Sequence, residues 1–225
     1  MNATNPSAQI AAAPLDALSV WLALPQSINF FDGGALSPAE RERFAARRSQ
    51  RRRDEFAVSR ALMAQVRTTP GAVTSLTHGD GLAALACGPA NGAIGVDLER
   101  HRPRDVLALA RFAFSPVELS ALAALPETQR TQRFYTLWVI KEALAKALGM
   151  PLLEACERCV MTHTSHGWRG TMPTAQPWQL IVFEPEPDLS VAVVYVGVDA
   201  ELQISCFEWP PLRNVMWPIA AQARG

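Results

Sequence analysis

The 225-residue sequence predicts an α+β fold built as a pseudo-two-fold duplication of a small α+β unit, with the functional site between the halves. Three observations carry that expectation. The first is a helix-start signal that occurs twice, as Ser37, Pro38, Ala39, Glu40 and as Ser115, Pro116, Val117, Glu118. In each copy serine suits the N-cap, proline the first helical position, and glutamate the third position of a capping box. The second is that a further helical segment follows each cap, with Phe56, Arg60, Ala61 and Leu62 in the pattern of Trp138, Glu142, Ala143 and Leu144. The copies are 78 residues apart at the caps and 82 at the later helices, so a single short insertion reconciles them. The third is that strand-like segments are interspersed with these helices, which gives each unit a few strands and two helices.

In chain order, residues 1–14, rich in Ala, Asn and Pro, read as a loose N-terminal tail. An N-terminal α+β half over 15–93 and a C-terminal half over 94–225 follow. Leu18–Leu24 is the first strand, and a helix starts at Ser37. Ile94 to Glu99 alternates, with Ile94, Val96 and Leu98 on one side and Asp97 and Glu99 on the other. Phe134 to Gly149 is helical, since Leu137, Ile140, Leu144 and Leu148 recur at spacings of three and four while Trp138, Glu142 and Lys146 share another face. Leu153 to Trp168 reads as a short irregular or β region. Trp178–Phe183 and Ser190–Val196 read as strands joined by a turn near Asp188, the latter apolar enough for the centre of a sheet. From Glu208 onward three prolines and two tryptophans show no periodicity, and irregular packing is expected there.

Lys plus Arg and Asp plus Glu are both 21, so net charge does not argue for a nucleic-acid or membrane partner. The first basic residue is Arg41 and no apolar run approaches a bilayer span, which points to a cytoplasmic protein. Cys87, Cys156, Cys159 and Cys206 are too few and scattered for a disulfide framework. Cys156 and Cys159 form a CxxC without a second pair at zinc spacing, so these read as buried thiols. His163 and His166 lack an accompanying carboxylate pattern and read as surface histidines.

Taken singly, Glu142 and Lys146 are a surface pair worth roughly 0.2–0.5 kcal/mol, and Asp97 and Glu99 lie on the wet face of an edge strand. Taken together, Asp97, Glu99 and Glu142 form an all-oxygen set suited to a hard cation, magnesium by preference, with Lys146 facing phosphates held there.

The segments GVDLE (95–99) and WVIKEALAK (138–146) resemble the two signatures of the Sfp-type 4′-phosphopantetheinyl transferases, G-x-D-x-E and W-x-x-K-E-(A/S)-x-x-K, in the same order and at about the same separation. The resemblance implies the phosphopantetheinyl transferase fold and transfer of the 4′-phosphopantetheine arm of coenzyme A to a serine of an apo acyl or peptidyl carrier protein. Adenosine 3′,5′-bisphosphate would be the product released. It implies Asp97, Glu99 and Glu142 as magnesium ligands, with Glu142 and Lys146 catalytic. Glu142, directly or through a water, would take the serine proton, and Lys146 would serve the leaving phosphate.

Eight arginines lie between Arg41 and Arg60, mostly a solvated helix face. By the resemblance, Arg60 in VSRALM matches a phosphate-binding position of the family, with Ser59 in place of its glycine, and Arg52 or Arg53 matches another. Thr77 and His78 match its S-H element, where histidine meets the 3′-phosphate of coenzyme A. The family's G-K-P segment is not recognisable: from Arg67 to Thr77 there is no lysine. Lys141 is open to a phosphate, structural or docking role, and Arg111 with Phe112 and Phe114 offers a basic and apolar dock for the carrier. A monomer is expected, because one chain supplies both halves. The competing readings are a non-catalytic module that binds coenzyme A or a carrier, and a magnesium-dependent phosphoesterase.

Overall fold

The computed structural model describes residues 17–164, 167–197 and 202–225. The expected tail at 1–14 and His166 lie outside these residues. The N-terminal half opens with β1 (Ala17–Ala23), followed by two short 3₁₀ turns, α1 (Pro38–Ala45), α2 (Gln50–Gln65), β2 (Val73–Gly79) and β3 (Leu82–Gly88). Next come β4 (Ala93–Arg100), α3 (Val106–Ala113), α4 (Pro116–Ala123), α5 (Glu127–Leu148) and α6 (Leu152–Arg158). The chain closes with β5 (Val160–Thr164), β6 (Gly167–Thr171), β7 (Trp178–Glu186), β8 (Leu189–Val196), β9 (Gln203–Trp209), β10 (Arg213–Val215) and β11 (Ile219–Arg224). This is the expected α+β fold.

Two main sheets lie face to face. One has the order β10-β9-β1-β3-β2 and the other β11-β7-β8-β4. Leu18, Val20 and Leu22 of β1 and Leu82, Ala84 and Ala86 of β3 bury against Ile94, Val96 and Leu98 of β4 and Val191, Val193 and Tyr195 of β8. The alternate residues face outward onto helices. Trp21, Ala23, Ala83 and Leu85 meet Val58, Ala61 and Leu62 of α2, while Leu180, Val182, Ala192 and Val194 meet the apolar stripe of α5. The layers run helix, sheet, sheet, helix. Because side chains alternate along a strand, one run of β residues serves both the inter-sheet core and a helix.

Both predicted capping boxes are formed, at Ser37/Glu40 and at Ser115/Glu118. The helix that starts at Ser37 ends at Ala45, and the further helical segment begins at Gln50, where the Ser49 side chain accepts from the Arg52 amide. Gly149 ends α5 in the left-handed conformation at φ 62°, which costs a glycine little.

Three expectations change. Residues 152–158 are helical as α6, and only the part beyond them is the β5–β6 hairpin. The C-terminal stretch holds regular strands despite its prolines: β10 pairs with β9, and β11 pairs antiparallel with β7. Finally, the sheets do not follow a division of the chain at residue 94, since β9 runs parallel to β1 and so completes the sheet of the N-terminal half. Hydrophobic patterning marks a strand without naming its neighbour, which is why pairing over such a distance was not visible in sequence.

Candidate active site

The site forms where the edge strands of the two sheets adjoin. β2 and β4 are those edges, and two side-chain links join them: Ser75 Oγ accepts from the Val96 amide at 3.0 Å, and Thr77 Oγ1 donates to Asp97 Oδ1 at 3.0 Å. With Val96 and Leu98 turned into the core, Asp97 and Glu99 turn toward α5. Gly95 lets that helix come close. A Cβ built there would stand 1.9 Å from the Ala143 carbonyl oxygen, so any side chain at 95 would push α5, and with it Glu142, away from β4.

Asp97, Glu99 and Glu142 line one cavity of about 450 Å³, together with Thr77 and His78 from β2 and Arg51, Arg52 and Glu55 from α2. Asp80, Arg102 and Arg104 also line it. A second, basic cavity of about 740 Å³ shares Ser49, Arg52 and Glu55 with the first and adds Arg43, Arg47 and Arg48.

The electrostatics are those of a crowded acid cluster. Burial raises the Asp97 carboxyl above its usual range, against the pull of Lys146 and Thr77. Burial and then the neighbouring Asp97 push Glu99 up to about 7, and the same two causes raise Glu142. Lys146 Nζ donates to Asp97 Oδ1 and to the Val96 carbonyl, both at 2.8 Å. The other oxygen, Asp97 Oδ2, is buried without a hydrogen-bond partner among the described residues. No three His, Cys, Asp or Glu side chains among the described residues stand as a preassembled metal cluster. The three carboxylates nevertheless share a cavity wall, and a buried, unpartnered carboxylate oxygen beside mutually repelling acids is what a hard cation satisfies.

The remaining predicted residues divide. His78 lies on the cavity wall with its pKa lowered, chiefly by burial and further by Arg47, Arg60 and Lys146. Thr77 directs its hydroxyl to Asp97 rather than into open space. Of the two arginine alternatives, Arg52 faces both cavities, whereas Arg53 Nε donates to the Arg47 carbonyl. Arg60 is not on the lining. Its guanidinium lies over the Phe56 ring and 3.3 Å from Glu40, because a position one face round from the cavity meets α1 instead. Lys146 reaches the cavity through Asp97. Trp138 packs on Phe134, and Lys141 is fully buried, 2.8 Å from Glu118 and donating to the carbonyls of Cys156 and Cys159. Its role is structural. The two thiols of that CxxC are free and buried, and burial raises both.

Sequence reading passed over Arg51, Glu55, Asp80, Arg102 and Arg104. The available signals were short ones. Arg51 and Glu55 are spaced i,i+4, Asp80-Gly81 is a hairpin-turn pair, and Arg102 and Arg104 follow GVDLE directly.

Residues 93–194, which carry β4 and α5, match the model of the 4′-phosphopantetheinyl transferase superfamily. That segment is similar to the superfamily, in keeping with the resemblance of the two motifs. It is 33% identical over 144 residues to the 4′-phosphopantetheinyl transferase HetI of Nostoc sp., an alignment covering 63% of this chain and 55% of that protein. It is 38% identical over 68 residues to a 4′-phosphopantetheinyl transferase of Bacillus subtilis, covering 30% of each. A putative 4′-phosphopantetheinyl transferase of Synechocystis sp. is 46% identical over 59 residues, covering 26% of this chain and 24% of the relative. The chain thus spans about half the length, or less, of the curated relatives it matches.

Proposed function

We propose that this protein transfers the 4′-phosphopantetheine arm of coenzyme A to a serine of an apo acyl or peptidyl carrier protein, with magnesium, releasing adenosine 3′,5′-bisphosphate. The observation that carries the reading is a single cavity lined by Asp97, Glu99 and Glu142 and by Arg51, Arg52, Arg102 and Arg104, its three acids lying in the segment that matches the superfamily. Arginines suit the phosphates of the coenzyme, and the adjoining basic cavity extends that surface.

The serine oxygen attacks the β-phosphorus, the bond from that phosphorus to the bridging oxygen breaks, and adenosine bisphosphate leaves with the bridging oxygen. Glu142, its pKa raised by burial and by Asp97, is the group on this wall suited to accept the serine proton. Lys146, already placed by Asp97 and the Val96 carbonyl, supplies positive charge or a proton to the leaving phosphate. Asp97, Glu99 and Glu142 would hold magnesium, which when bound neutralises charge on the pyrophosphate. His78 sits among Arg47, Arg60 and Lys146, so an arriving phosphate favours its protonated form and gains a donor.

The carrier has a surface of its own in this proposal. Phe112 is 77% exposed and, with Pro116 and Leu153, lines an apolar groove of about 400 Å³ beside Arg111. Phe114, expected with them, is largely buried under that groove and contributes packing. No helix among the described residues is long and apolar enough to cross a membrane. A cytoplasmic, monomeric enzyme completes the reading.

The test is intact-mass spectrometry of apo carrier proteins of several classes after incubation with this protein, coenzyme A and magnesium. The expected result is a gain of one phosphopantetheine arm, abolished by EDTA and reduced at least roughly a hundredfold by Glu142→Ala. Coenzyme A bound while every carrier stays unmodified would instead identify a binding module, and consumption of coenzyme A without any acceptor a phosphoesterase.

A further inference from the structure

Asp80 is an acid of this cavity to which the proposed transfer reaction gives no role. It occupies the β2–β3 turn at φ 53°, followed by Gly81 at φ 76°. Its carboxylate oxygen Oδ1 takes two guanidiniums: Arg51 of α2 at 3.2 Å, and Arg102 from the segment leaving β4. All three residues line the cavity. The Asp80 side chain is only 13% exposed, whereas those of Arg51 and Arg102 are 64% and 42% exposed and remain open to another anion.

Two roles are physically open to such an acid. It could position the arginines, or it could compete for them with an incoming anion. Arg51 and the turn itself have a second anchor. Glu55 Oε1 accepts from Arg51 Nε at 2.9 Å and from the Asp80 backbone amide at 3.1 Å. Arg51 therefore keeps its place, and the turn keeps its shape, without the Asp80 carboxylate. That carboxylate also adds to the field that raises Glu99 across the cavity. A pyrophosphate offers more charge and more acceptor oxygens to two guanidinium forks than one carboxylate does.

We infer that Asp80 is a built-in competitor, a carboxylate that holds Arg51 and Arg102 until a polyanionic substrate draws them off, and that it thereby sets how tightly the cavity binds coenzyme A. This deepens the function proposed above and rests on it.

The experiment is calorimetric titration of the full chain with coenzyme A and, separately, with inorganic pyrophosphate, at low and at high salt. Two variants remove the charge without straining the turn. Asp80→Asn keeps a residue type that tolerates positive φ, and Asp80→Gly adopts it freely. Circular dichroism establishes that each is folded. Both should bind coenzyme A more tightly than the wild type, roughly fivefold at low salt, with the gain shrinking as salt rises. Binding that is unchanged or weaker in both variants overturns the inference and leaves the proposed function standing, because the wild type still binds the coenzyme. A wild type that takes up neither coenzyme A nor pyrophosphate overturns both.

Discussion

The two capping boxes are nearly superimposable in local chemistry and unlike in what they do. In the first, Glu40 Oε2 accepts from the Ser37 amide at 3.0 Å and from its hydroxyl at 2.7 Å. In the second, Glu118 Oε2 accepts from Ser115 at 2.9 and 2.8 Å. The difference is in the other oxygen. Glu40 Oε1 meets Arg60 of α2 at 3.3 Å in a half-buried pair that keeps some contact with water. Glu118 Oε1 lies in the interior, where it takes the Lys141 ammonium and the Met161 amide, each at 2.8 Å. One cap finishes a helix. The other ties α4, α5, the end of α6 and β5 together directly behind Glu142. A local motif sets its own hydrogen bonds, but its energetic weight depends on how much water the surrounding fold removes.

The sharpest way to break this comparison is to remove the cation from each box. Lys141→Met leaves Glu118 buried without its counter-charge and should cost about 3–5 kcal/mol in urea unfolding. Arg60→Met, at the box that keeps contact with water, leaves Glu40 able to hydrate and should cost clearly less, about 1 kcal/mol. Equal effects would mean that burial is not what separates the boxes. Within α5 itself, Lys141 supports the fold while its neighbour Glu142 faces the cavity, so the Lys141 variant should lose stability before it loses turnover.

A smaller effect is expected where α5 rests on β4. Gly95→Ala places a methyl group against the Ala143 carbonyl and should cost about 1–3 kcal/mol. On the proposed function it should also lower transfer by shifting Glu142, and should leave the affinity for coenzyme A largely unchanged. A stability loss with unchanged turnover would show that the helix relaxes without moving its carboxylate.

The smallest effect is a pH dependence. His101 stacks on Tyr135 of α5 and shares a hydrogen bond with Ser190, and burial lowers its pKa below the usual 6.5. The folded state thus favours the neutral ring. Its contribution to stability is present above about pH 6.5 and is lost as pH falls through that value toward the lower folded pKa. Because Glu99 acts in the opposite sense between about 4.5 and 7, the informative quantity is the difference between wild type and His101→Asn. The stabilities of the two should converge as pH drops from 7.5 to 5.5, and a constant difference would show that His101 titrates normally.

Much of the molecule was legible because its signals are local. The caps at Ser37 and Ser115, the alternation that sends Asp97 and Glu99 to one side, and the helical period that separates Leu144 from Glu142 are all written within a few residues. The pairing of GVDLE with WVIKEALAK was legible as a resemblance, and it lay in the segment that matches the superfamily. Arg60 and Lys141 show the limit. Both are basic residues beside a motif, and sequence gives no means of knowing that one stacks on Phe56 while the other is fully enclosed by α4 and α6. Asp80 shows the converse, since a residue that reads as an ordinary turn proves to sit between two arginines on the wall of the site.

From sequence alone, then, came the α+β class, the strand and helix that carry the acids, and the residue types able to hold phosphate and a hard cation. Only the tertiary structure decided that β9 returns to pair with β1, which arginines reach the cavity, and which capping glutamate is buried. The reason is physical. Backbone hydrogen bonding and side-chain periodicity act over a few residues, whereas burial, and with it the strength of every charge in the site, is set by chain segments distant in sequence.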